Sequence, residues 1–125
     1  MTLFELRIGN YLKFDGVIDQ ITSVGKYVDG INHGIWSFER LSPIPLTDEI
    51  LEKFGGKYPL LKDGVFQAFV GKKGTVTLWI LNKDLYGYFL SLFEDKNEPI
   101  IRVDTVHELQ NAIYVLTGED IQLEL

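Results

Sequence analysis

Two prolines spaced two apart, Pro43 and Pro45 in the stretch SPIPLT, constrain this chain more than any other feature. Neither carries an amide donor, and each biases the residue before it toward an extended shape. No central strand can run through them, so they read as a linker between a β-rich module, 1–46, and a second part, 47–125. The 125 residues are the length of one typical domain, so the two parts are expected to form one compact unit.

The first part reads as short strands joined by tight turns. In YLKFDGVIDQITSV, Asp15-Gly16 lies between two β-prone runs, which signals a hairpin with a type I′ turn. In the second run Ile18, Thr22 and Val24 point one way, and Val17, Asp19, Ile21 and Ser23 the other. That alternation is imperfect, as for a strand partly covered on both faces. Arg7, Gly9 and Asn10 in LRIGN read as a strand entry with a tight turn. Asp29-Gly30 and His33-Gly34 punctuate the next stretch, and IWSFERL reads as a further strand. Strands this short suit a strongly bent sheet or small barrel resembling an SH3-like module.

After the prolines, Thr47 offers an N-cap, with Asp48 and Glu49 in the favourable first turn. TDEILEKFGG reads as a short helix that buries Ile50, Leu51 and Phe54 and stops at Gly55 or Gly56. YPLLKDG, VFQAFVG, TVTLWIL, YGYFLSLFE and PIIRV then read as an antiparallel meander. Phe66, Ala68, Val70, Val76, Leu78 and Ile80 would form its apolar face. A helix closes the pattern. Thr105 to Glu108, TVHE, is a capping box, and Val106, Leu109, Ile113 and Leu116 make an apolar stripe expected to pack on the meander. Gly118 ends that helix, and IQLEL reads as a final strand. The fold class is therefore α+β: a small barrel-like hairpin module, then an antiparallel sheet packed by a C-terminal helix.

The same helix contains HELQN, one residue away from the zinc motif H-E-x-x-H. That motif needs a second His one turn on, and Asn111 holds the place. The other histidine, His33, sits in a Gly-flanked turn. A capped helix explains the letters better than a metal site, so no metal and no cofactor is expected. His107, Gln110, Asn111 and Tyr114 share one helix face. They are the candidate contact residues for a partner, set against the plainer reading of a polar face tied to neighbouring loops.

Composition excludes further classes. The chain has no cysteine, hence no disulfide and no thiolate chemistry. No apolar run approaches the ~20 residues that span a bilayer, and MTLFELRIGN does not read as a signal peptide. A cytoplasmic location without membrane association is expected. The net charge is −6, and Asp104, Glu108, Glu119, Asp120 and Glu124 concentrate it beyond residue 103 with no Lys or Arg among them. That balance weighs against nucleic acid and leaves a local basic patch elsewhere as the route to it. No nucleophile elbow, phosphate loop or dinucleotide fingerprint occurs. GKKG reads as a hairpin tip, and the acidic pairs Asp48/Glu49, Glu94/Asp95 and Glu119/Asp120 sit at turns or helix starts. No catalytic residue is assigned. The aromatics Trp79, Tyr86, Tyr88, Phe89 and Phe93 read mostly as core, with Trp36 and Phe38 as members of a possible exposed set.

Three anchors carry a resemblance. ELRIGNYL, PIPLTDEILEKFG and VHELQNAIYVLTGED together resemble a family of short uncharacterised proteins of gut Bacteroidota and their phages and mobile elements. The resemblance spans nearly the whole chain. It implies a bacterial or phage origin and transfers no site residue. The resulting expectation is a non-enzymatic accessory protein that binds another protein. The alternative is a nucleic-acid-associated module using an SH3-like barrel.

Overall fold

The Asp15-Gly16 turn forms as its letters require. Strand β1 (Tyr11–Phe14) pairs with β2 (Val17–Val24), with Phe14 opposite Val17. Asp15 has φ 52° and Gly16 φ 83°, the two positive angles of a type I′ turn, and Asp15 is the one described non-glycine residue in that region. The structure is a computed structural model that describes residues 1, 5–53, 65–70, 77–82, 88–91, 101–118 and 120–122. Two compact units make up the chain: Met1–Pro45 with Thr105–Ala112, and Leu46–Asp104 with Ile113–Leu125.

In the first unit β3 (Val28–Gly30) and β4 (Gly34–Trp36) extend the hairpin, and β5 (Leu41–Ser42) returns beside β1. The sheet is antiparallel in the order β4-β3-β2-β1-β5. A register shift between Ile21 and Ser23 on β2 explains the imperfect alternation read from its letters. Asp19 and Ile21 are buried, while Ser23, on their side by a strict period of two, is exposed. Leu6, Leu12, Phe14, Ile21, Val28 and Leu41 form the core, with Val24, Trp36 and Phe38 packed against it.

Two expectations for this unit are corrected. IWSFERL is not one strand: it breaks at Ser37 into a 3-10 turn, Phe38–Arg40, where Arg40 N donates to Ser37 O at 3.1 Å. The sheet is also not a closed barrel. Its edges, β4 and β5, have three and two residues and are not paired with each other.

The helix α2 (Val106–Thr117) packs on this five-stranded sheet through its first turns, while Ile113 onward falls in the second unit. Its first turns belong to the first unit because Gln110 and Asn111 bond to the segment leading into β1. Thr105 caps it: Glu108 N donates to Thr105 Oγ1 at 3.3 Å, and Thr105 Oγ1 donates to Glu108 Oε1 at 2.8 Å. Glu108 thus closes the box on the hydroxyl that caps the helix. Val106, Leu109 and Ile113 are buried, whereas Leu116 is exposed. Gly118, at φ 76°, ends the helix, its N–H on Tyr114 O at 2.7 Å.

The proline linker has pairing of its own. Pro45 and Thr105 form an isolated antiparallel bridge, and Val106 N donates to Ile44 O at 2.9 Å. Pro45 sits where no donor is asked of it.

The second unit holds α1 (Asp48–Glu52), capped by Thr47 through Ile50 N at 3.2 Å. Its sheet is antiparallel in the order β6-β7-β8-β9, from Val65–Val70, Thr77–Asn82, Tyr88–Ser91 and Ile101–Val103. The meander is thus present in four of its five expected runs. YPLLKDG, the Gly55/Gly56 stop, the GKKG tip, Tyr86, Phe93, the Glu94/Asp95 pair and the end of IQLEL lie outside the described residues, as do the side-chain faces of β6 and β7. No helix among the described residues is long and apolar enough to cross a membrane.

Candidate functional site

Three of the four candidate contact residues on α2 are turned inward. His107 and Gln110 are buried and Asn111 is half-buried; Tyr114 is exposed. Gln110 meets the strand entry as a two-way amide. Its Oε1 accepts from Tyr11 N at 2.9 Å, and its Nε2 donates to Gly9 O at 3.0 Å. Asn111 Oδ1 accepts from Asn10 Nδ2 at 2.8 Å and Arg7 Nε at 3.2 Å, and its Nδ2 donates to Glu5 O at 2.6 Å. This explains why Asn stands where a zinc helix has its second His: the position needs a donor and an acceptor at once. His107 Nε2 lies 3.3 Å from Glu5 Oε2 and Nδ1 lies 3.2 Å from Thr105 Oγ1. Both ring nitrogens therefore have protein neighbours. The LRIGN turn supplies the other side. Gly9 has φ 97°, Asn10 N donates to Arg7 O at 3.0 Å, and Arg7 N donates to Asn10 Oδ1 at 2.7 Å.

The second cluster escaped sequence reading. Asp19, buried in β2, faces the β3–β4 loop. Its Oδ2 accepts from Asn32 N and from His33 Nδ1, each at 2.8 Å. Its Oδ1 accepts from Gln20 N at 2.8 Å and Asn32 Nδ2 at 3.4 Å. The carboxylate only accepts, so His33 must carry its proton on Nδ1, which leaves Nε2 with no protein partner among the described residues. Burial opposes ionisation of Asp19. The hydrogen bonds from His33 and from the Asn32 and Gln20 amides, with the charge of His33, outweigh it and hold the carboxyl below its ordinary value.

Packing fixes the loop on this carboxylate. The His33 ring stacks on Phe14 at 5.3 Å and meets Trp36 edge-on at 5.7 Å. Trp36 Nε1 donates to His33 O at 2.8 Å, and the Arg40 guanidinium lies 4.3 Å from the Trp36 ring centre. Gly30 has no room for a side chain, since a Cβ there stands 2.5 Å from Asp19 Oδ2 and 3.0 Å from the Phe14 ring. Trp36 and Phe38, expected among exposed aromatics, are half-buried against the core, and Tyr88 and Phe89 are half-buried. The one sequence signal for this cluster was that Asp19 shares its side of β2 with Ile21, and nothing in the letters tied it to His33, 14 residues on.

The same hairpin exposes large apolar groups on its other side: Tyr27 is 49%, Ile31 58% and Ile35 70% exposed. Ile35 stands opposite Asp29, with Tyr27 and Ile31 two residues to either side of Asp29. No three His, Asp or Glu side chains gather as a metal-holding group among the described residues. Comparison with family models, curated proteins and solved structures returns no match for this chain.

Proposed function

We propose that this chain is a non-enzymatic accessory protein that binds another protein, of the phage or mobile-element kind its three sequence anchors resemble. The observation that carries this reading is the outer face of the β3–β4 hairpin, where Tyr27, Ile31 and Ile35 stand exposed together. A single exposed apolar side chain is ordinary; three on one short ribbon at a sheet edge mark a contact surface. Val28, between Tyr27 and Asp29, is buried on the opposite face, so the ribbon separates a core side from an outward side.

The strand order supports a binding module of SH3-like type. Four strands pair in sequence, one 3-10 turn follows, and the fifth strand returns beside the first. The polar residues of α2 support the hairpin over the helix as the contact surface: His107, Gln110 and Asn111 bond inward, and of the four candidates on that face Tyr114 is exposed.

The test is capture from a bacterial host extract by the tagged chain and by an Ile31→Asp/Ile35→Asp variant that keeps its circular dichroism. The expected result is one defined protein partner, retained at raised salt and lost with the variant. Undiminished capture by the variant overturns the surface. Binding of labelled oligonucleotides that weakens steeply with salt overturns the reading in favour of a nucleic-acid module.

A further inference from the structure

We propose that the β3–β4 loop is a latch closed by the Asp19 carboxylate, and that uptake of one proton at Asp19 opens the loop while the β1–β2 ladder stays paired. The latch stands on the geometry of the loop alone; its consequence for docking rests on the function proposed above, because Ile31 is part of the loop.

Asp19 Oδ2 receives Asn32 N and His33 Nδ1, and Oδ1 receives Gln20 N and Asn32 Nδ2. Every direction around the carboxylate is thus taken by a donor. A proton added to either oxygen points at a group that is already donating to it. The pair then trades charge-assisted bonds for a crowded set of donors, and a buried donor without a partner is costly. Apart from the carboxylate, the loop is held by the His33 ring on Phe14 and Trp36 and by two hydrogen bonds. Ile31 N donates to Gln20 O at 3.0 Å, and Trp36 Nε1 donates to His33 O, which itself belongs to the loop. The β1–β2 ladder makes no use of the carboxylate and carries four residue pairs.

The groups facing Asp19 set the direction of the response. The loop contributes His33, whose ring donates whether neutral or charged. β1 contributes the uncharged Phe14 and β3 the bare Gly30. Arg40, on the turn after β4, is engaged with the Trp36 ring. Loss of charge on His33 therefore leaves the latch closed, and loss of charge on Asp19 opens it. Because the folded carboxyl lies below its ordinary value, its stabilisation is complete above the ordinary aspartate range. That stabilisation disappears as pH falls through the lowered value.

Amide and indole NMR signals of the full chain, followed through an acid titration, test the latch without any partner. The expected result is that Asn32 N–H and Trp36 indole N–H move to open-loop positions at a pH where Leu12 and Ile18 still show native shifts. Asp19→Asn should show the open-loop signals at neutral pH, and Asp29→Asn, which loses only a bond from Ser23 Oγ, should follow the parent protein. If the loop and ladder signals disappear together, or the Asn32 signal stays native to the end of the titration, the latch is overturned. Should Asp19→Asn fail to fold, the titration of the parent protein alone decides. Loss of partner capture with an intact titration profile bears on the docking reading and leaves the latch standing.

Discussion

The first unit contains two buried polar clusters built on different chemistry. Around α2, Asn10, Gln110 and Asn111 are neutral amides, each able to give and receive. They join residues 100 apart in sequence, and Gln110 and Asn10 are fully buried. At the β3–β4 loop, Asp19 only receives, and its loop partners lie 13 and 14 residues away. An amide network can close on itself, whereas a carboxylate must be ringed by donors and holds them only while charged. The amide cluster therefore belongs to the permanent frame, and the carboxylate cluster to what can move.

The sharpest way to break that contrast is Gln110→Ala. It strands Tyr11 N–H, takes one of two donors from Gly9 O, which keeps Gln20 Nε2, and empties a buried site, and the loss should be about 3 kcal/mol in denaturant unfolding. A loss under about 1 kcal/mol means the amides are replaceable by water, and the distinction fails. Gly30→Ala comes next, at about 2 kcal/mol, because its methyl must displace Asp19 or the Phe14 ring. Gly25→Ala, where a Cβ meets nothing within 4 Å, is the paired measurement and should change little. Thr105→Ala removes the α2 cap and should cost about 1 kcal/mol by thermal or chemical melting, independent of either cluster. The smallest effect belongs to Asp15→Asn. Asparagine also accepts positive φ in a type I′ turn, so the melting temperature should stay within about 3 °C.

What the sequence disclosed follows the same division between near and far. Asp15-Gly16, the Thr105–Glu108 box, the Thr47 cap and the Gly118 stop were all legible, because each is decided within four residues. The stripe on α2 named Val106, Leu109 and Ile113 correctly but ran on to Leu116. Spacing tells which residues share a face, not how far along the helix that face is covered. The Asp19 cluster was hidden by the register shift after Ile21, which spoils the alternation that would have marked Asp19 as buried. The partners of Gln110 were hidden by distance along the chain, since no local pattern links position 110 to position 11. The amides of Gln110 and Asn111 need partners if buried, and they have them in Glu5, Arg7, Gly9, Asn10 and Tyr11, as His107 has in Glu5 and Thr105.

The bridge between Pro45 and Thr105 bears on how this chain can vary. The backbone leaves the first unit at Pro45 and re-enters it at Thr105, and the two residues are paired. The exit and the return are one doorway. The stretch 46–104 is strung between two ends that are already tied, so a change of its length need not shift the register of β1 to β5, although the unit it belongs to also takes in Ile113–Leu125.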